Sequence, residues 1–136
     1  MMHELPKHYD HAEAQSRCHA LWDTGRYWHA DPEKAGEVFS IVIPPPNVTG
    51  ALHLGHALNN TLQDILVRTK RMQGYVTLWM PGTDHAGIAT QAVVERRLLE
   101  EDGVSRHDLG RTQLVERIWD WKAQYEKRIL GQLRDI

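Results

Sequence analysis

From residue 38 onward the apolar positions switch between strand-like runs and helical stripes. Val38-Phe-Ser-Ile-Val-Ile43 is short, β-rich and apolar on successive positions, which predicts a strand buried on both faces, as in a parallel sheet. Between Ala57 and Gln73, residues Leu58, Leu62, Ile65, Leu66, Thr69 and Met72 recur at helical spacing and predict a core-facing stripe. Asn59, Asn60, Gln63, Asp64, Arg68 and Arg71 fall on the opposite, water-facing side, and Gly74 supplies the stop. Tyr75-Val-Thr-Leu-Trp-Met80 predicts a second strand, halted by Pro81-Gly82. Strand, helix and strand with a right-handed crossover make a parallel βαβ unit.

The pattern continues to the end of the chain. Ile88 to Glu101 predicts an amphipathic helix with Ala92, Val93, Leu98 and Leu99 as core, ended by Asp102-Gly103, and Val104 to Arg111 reads as a connector. Leu114, Ile118, Trp121, Tyr125, Ile129, Leu133 and Ile136 then mark a long helix whose wide stripe, flanked by Val115, Trp119 and Leu130, is expected to await a partner surface. Ahead of the βαβ unit, Pro6 and Tyr9 to Trp22 predict a short helix ending before Gly25, with Ala14, Cys18, Leu21 and Trp22 on one side. Trp22, Tyr27 and Trp28 are too many aromatics for a free tail, so this appendage is expected to pack on the domain after it. The polar, Pro- and Gly-bearing Asp31 to Glu37 marks the boundary, giving an appendage at 1–35 and a second domain at 36–136.

Composition narrows the function classes. With 136 residues, 41% hydrophobic and 25% charged, the chain is a globular domain with no membrane-length apolar run and no secretion signal, which points to the cytoplasm and away from a membrane. A single cysteine allows no intramolecular disulfide. A formal charge of −2 argues against indiscriminate nucleic-acid binding but leaves room for a shaped RNA site.

Candidate chemistry concentrates in Ile43-Pro-Pro-Pro-Asn-Val-Thr-Gly-Ala-Leu-His-Leu-Gly-His56. Pro44, Pro45 and Pro46 remove three amide donors and set a stiff apolar wall at the strand's carboxyl end. Gly50 and Gly55 permit backbone conformations or close approaches that a Cβ forbids, and Asn47 and Thr49 are short polar side chains suited to caps and turns. His53 and His56 share one face of a helix's first turn, where unpaired amides and the positive dipole end favour an anion such as phosphate. The remote Cys18 and the absence of an obvious third ligand beside the pair argue against a metal site. Asp84, on the loop after the second strand, reads as a helix cap or turn former by context. In open sheets ligands lie beyond the carboxyl ends of the strands, and both 44–56 and 81–91 fall there.

Thr49-Gly50-x-x-His53-x-Gly55-His56 resembles the signature of the class I aminoacyl-tRNA synthetases, whose shorter His-x-Gly-His core also occurs in nucleotidylyltransferases. Pro44-Pro-Pro-Asn-Val-Thr-Gly50 and Pro81-Gly-Thr-Asp-His-Ala-Gly-Ile-Ala-Thr-Gln91 resemble the valyl branch; isoleucyl relatives typically show Gly-Pro-Pro before the turn and a Trp-Asp pair later. The resemblance implies an α/β fold: the N-terminal half of a Rossmann-like nucleotide-binding domain, with a helical appendage before it and a long helix after it. It implies that valine and ATP, with Mg2+ accompanying the ATP and no tightly bound metal, form an aminoacyl adenylate whose acyl group passes to tRNA(Val). It implies that His53 and His56 stabilise charge on the phosphates, with Asn47, Thr49, Gly50 and Gly55 in the same ATP-facing turn and Gly55 admitting adenine to the backbone. Pro44, Pro45 and Asn47 would border the amino acid, Asp84 would receive its ammonium group, and His85, Gly87 and Gln91 would shape the pocket.

The pattern lacks the family's Lys-Met-Ser-Lys-Ser loop, the second half of the sheet, and the editing and anticodon-binding domains. The expectation is therefore a monomeric N-terminal part of a longer synthetase. Two other readings stand beside it: a small nucleotidylyltransferase, and a non-catalytic paralogue that binds a partner through the long helix's stripe.

Overall fold

A computed structural model describes residues 7–135; Pro6 and Ile136, assigned above to the first and last helices, lie outside the described residues. The chain divides into two compact units, Met1–Ala35 and Gly36–Ile136.

In the first unit, helix α1 spans His11–Gly25 and starts at Asp10, whose carboxylate accepts from the amides of Ala12 and Glu13. Such a cap satisfies two of the four amides that a helix start leaves unpaired. The helix ends at Arg26 in a left-handed conformation. Trp22 and Trp28 meet edge to face at 4.9 Å, and Ala14 is buried with Cys18 and Trp22 half-buried beside it. Leu21, expected on that side, is 60% exposed.

The second unit is built on a two-stranded parallel sheet. Strand β1 is Val38–Val42 and β2 is Val76–Met80, in register from Val38 opposite Val76 to Val42 opposite Met80. Helix α2, Leu54–Met72, joins them, so the expected parallel βαβ connection is present. Its stop is Gly74, in positive φ. After β2 come α3, Gly87–Arg97, a π-helical turn over Leu98–Asp102, and α4, Arg106–Asp135, broken early by a non-helical Gly110. No helix among the described residues is long and apolar enough to cross a membrane.

Two expectations about burial are reversed. The apolar stripe of α2 is turned to solvent: Leu58, Leu62, Ile65, Leu66 and Met72 are all more than half exposed. The polar side faces the sheet instead, with Asn60 buried beside Val67 and Gln63 accepting the Trp79 indole proton at 3.0 Å. Arg71 lies far enough in that burial lowers its pKa, Arg68 adding to the effect and Asp64 opposing it. The physical reason is local. The Trp79 indole N–H on β2 needs an acceptor from α2, which Gln63 supplies and a leucine could not. Nor is β1 buried on both faces. Val38 and Val42 are 74% and 72% exposed, while Phe39 and Ile41 are half-buried.

The centre of the stripe on α4, by contrast, is packed within this chain, while the flanking Val115, Trp119 and Leu130 are exposed. Ile129 and Leu133 form one core with Ile43 and Val48, joined by Leu52, Trp79 and Tyr125. Leu114 forms a second with Val94 and Leu98, joined by Leu109, Ile118 and Trp121. In α3 the expected core position Ala92 is exposed and Val93 half-buried, while Thr90 and Val94 are buried; in the π-helical turn Leu98 is buried as expected and Leu99 is exposed. The π-helical turn shifts the helix phase after Arg97, which a uniform period misses.

Candidate functional site

Beyond the carboxyl ends of the strands, two loops are sewn together by backbone. Pairing continues one residue past β1, where the Ile43 amide donates to the Met80 carbonyl at 3.1 Å, and the prolines then end it. The Asp84 amide donates to the Pro46 carbonyl at 2.9 Å and the Val48 amide to the Asp84 carbonyl at 3.0 Å. Asn47 and Asp84 thus pair in a parallel bridge, which joins the two stretches singled out in the sequence. Pro46 is buried beneath the bridge, while Pro44, Pro45 and Asn47 are exposed around it.

His53 is the N-cap of α2. Its Nδ1 accepts from the Gly55 amide at 3.1 Å, and the His56 Nδ1 accepts from the His53 amide at 3.3 Å, a reciprocal capping box made of two imidazoles. The ring centroids lie 4.0 Å apart. A ring nitrogen that accepts from an amide carries no proton, so each neutral imidazole is protonated at Nε2. Burial, with the neighbouring His53 adding to it, lowers the His56 pKa. A Cβ on Gly55 would stand 3.0 Å from the His53 ring, so glycine at this position makes room for the cap itself. At Gly50 a Cβ would meet nothing within 4 Å, and no positive φ requires glycine there. Thr49 sits half-buried in the turn before it.

The exposed Asp84 carboxylate serves one local purpose: its Oδ1 accepts from the Ala86 amide at 3.0 Å, turning the chain into α3 through a left-handed Ala86. His85 is exposed and meets Trp119 edge to face at 5.9 Å. Gln91, expected to shape a pocket at this loop, gives its amide to Glu95 at 2.6 Å within α3.

Three residues of α4 brace these loops: Trp121, expected only as part of the core stripe, and Gln132 and Glu126, which the sequence did not single out. The Trp121 indole donates to the Val48 carbonyl at 2.8 Å, Gln132 accepts from the Leu52 amide at 2.9 Å, and Glu126 accepts from the Thr83 hydroxyl at 3.2 Å. The Lys122 ammonium bonded to Glu126 holds that carboxyl below its ordinary range, and burial opposes the effect. An apolar cleft of about 300 Å³ opens nearby between Ile43, Trp79, Pro81, Leu130, Leu133 and Arg134. Neither histidine nor Asp84 lines it. No group of three metal-ligating side chains occurs among the described residues.

The family model described as tRNA synthetases class I (I, L, M and V) matches residues 17–136. The chain belongs to that family. It is 66% identical over 133 residues to the valine--tRNA ligase of Rhodopirellula baltica, covering 98% of this chain and 13% of that protein. Against the valine--tRNA ligase of Geobacter sulfurreducens it is 59% identical, covering 98% of this chain and 15% of that protein. The one from Bdellovibrio bacteriovorus is 55% identical over all of this chain and 15% of its own length. The chain therefore spans about one-seventh of the curated relatives it matches. In this class I synthetase domain the histidine pair, its glycine and the Asn47–Asp84 bridge lie in the segments that follow the two parallel strands.

Proposed function

We propose that this chain carries part of the amino-acid activation site of a valine-specific class I synthetase, in the first half of a Rossmann-like domain. The observation that carries the reading is the Asn47–Asp84 bridge, because it brings a nucleotide-facing turn and an amino-acid-facing loop to one place. ATP enters as its magnesium complex. The valine carboxylate attacks the α-phosphorus, the bond to the bridging oxygen of the β-phosphate breaks, and valyl-adenylate and pyrophosphate result. The acyl group then passes to the terminal ribose of tRNA(Val), in the cytoplasm and from a monomeric enzyme.

His53 and His56 do their work as fixed donors. With both Nδ1 atoms occupied by backbone amides, each ring offers Nε2–H to phosphate oxygens at the positive end of α2. Pre-set dipoles stabilise developing charge without reorganising, which raises the rate more than binding alone does. Asn47, Thr49 and Gly50 line the same turn, and Gly55 keeps it low enough for a base to approach. Pro44 and Pro45 form the apolar wall for the branched side chain. Asp84 spends Oδ1 on the Ala86 amide, and its other oxygen receives the ammonium group, a charge-assisted bond that separates an amino acid from a plain carboxylic acid. The rival reading as a partner-binding paralogue relied on a free α4 stripe; the centre of that stripe is packed in the two cores, which favours the synthetase reading, while the flanking Val115, Trp119 and Leu130 are exposed.

Calorimetric titration tests the assignment. Replacing His53 and His56 by alanine is expected to weaken Mg-ATP binding at least about tenfold and leave valine binding intact, whereas Asp84→Asn does the reverse. Equal loss of both ligands in both variants, or none in either, would contradict the division of the site.

A further inference from the structure

We propose that Trp121 and Gln132 are positioning residues: one face of α4 holds both ends of the turn that leads into His53, and so sets where the two imidazoles stand. The inference rests on the reading of that turn as nucleotide-facing, and names the part of the fold that fixes it.

The turn has little support of its own. After Val48 the chain leaves the bridge to Asp84, and it regains regular structure only at Leu54. Between these points the Val48 carbonyl and the Leu52 amide need partners from elsewhere, since a half-buried backbone group without one is costly. Both partners come from α4. The Trp121 indole meets the Val48 carbonyl at 2.8 Å, and the Gln132 side chain meets the Leu52 amide at 2.9 Å. The two anchors stand about 16 Å apart along the helix axis, so the turn is tied at two separate points to one rigid body.

Trp121 is itself held, stacked on Tyr125 at 4.1 Å with the Arg97 guanidinium 5.1 Å from its ring, and Gln132 is half-buried. Leu52 immediately precedes the N-cap, so a shift at its amide is passed to His53, whose amide and ring form half of the capping box. Neither anchor needs to touch a substrate. Their effect runs through the backbone of the turn.

The test uses the 136-residue chain with nitrogen-15 labelling and three variants. Gln132→Met removes the acceptor at nearly constant volume, Gln132→Glu keeps one, and Trp121→Phe removes the indole proton while keeping a ring to stack on Tyr125. In Gln132→Met the Leu52 amide is expected to exchange with solvent about tenfold faster, and the imidazole nitrogen signals of His53 and His56 to move. Gln132→Glu restores both, Trp121→Phe moves the same imidazole signals, and the thermal midpoint of each variant shows that the fold persists. Unmoved imidazole signals in Gln132→Met and Trp121→Phe, or failure of Gln132→Glu to restore them, overturns the proposal. Mg-ATP titration separates the two readings. A wild-type chain that does not bind Mg-ATP, with imidazole signals that still move in the variants, overturns the nucleotide assignment and upholds the positioning. Where the wild-type chain does bind Mg-ATP, binding that is unchanged in Gln132→Met overturns the positioning.

Discussion

At the scale of single residues, the histidine pair departs from the usual helix start. N-caps are generally Ser, Thr, Asp or Asn, and the residue at the third helical position is generally Glu or Gln. The imidazole at the third helical position, His56, makes the cap titratable. His56 has a lowered pKa in the folded chain, through burial and the nearby His53, so the unfolded chain binds the proton more readily. Stability is therefore full above an unfolded pKa of about 6.5 and declines as the pH falls from there through the folded value. His56→Gln keeps an acceptor for the His53 amide and removes the titration. Urea unfolding between about pH 5 and 8 is expected to show a shallower acid decline in the variant than in the wild type; equal slopes would contradict the assignment. Thr77 offers a second test. Its hydroxyl is buried with no hydrogen-bond partner among the described residues. Thr77→Val is expected to stabilise the chain by about 1 kcal/mol, read from the denaturation midpoint, because an unsatisfied buried hydroxyl is lost and a β-branched shape is kept.

At the scale of elements, the sequence was most informative where the signal is local. The strands and α2 fall within a few residues of their expected places from β-branched runs, the prolines at 44–46 and Gly74. Placing both motif loops beyond the strand ends needed only the chain order and the geometry of parallel sheets. Which face of a helix is covered is a different kind of information. A helical period identifies the apolar face and says nothing of what lies against it, so the stripes of α2 and α4 read alike and behave oppositely. The bracing contacts were hidden for a related reason. Trp121 reads as one more member of a core stripe and Gln132 as a surface residue, yet their partners lie 73 and 80 positions away along the chain. The reversal is measurable. Ile129→Ala, which empties a fully buried position, is expected to cost about 2–5 kcal/mol, whereas Leu62→Gln on the exposed side of α2 changes stability by no more than about 0.5 kcal/mol. Chemical denaturation of the two variants in parallel decides it, and a costly Leu62→Gln would restore the core reading of α2.

At the scale of the whole molecule, the second unit has one helix that performs two tasks. α4 supplies Ile129 and Leu133 to the core under the strand ends, and from the same length of chain it ties down Val48, Leu52 and Thr83. Packing and site geometry are therefore set by the same element, and an apolar cleft of about 300 Å³ remains beside it. The apolar face of α2 is different, a strip of Leu58, Leu62, Ile65, Leu66 and Met72 that is exposed among the described residues. The family assignment rests on nearly the whole chain, while the relatives extend several times further. In the proposed function, α2 and the bridged loops carry part of an amino-acid activation site.

Valine-dependent exchange of labelled pyrophosphate into ATP tests that central claim most directly, because it requires nucleotide, amino acid and the histidine pair in one place and needs no tRNA. Exchange that valine stimulates, and that replacement of His53 and His56 by alanine abolishes, is the predicted result. Exchange that persists in the histidine variant, or that valine does not stimulate in the wild type, would contradict the account.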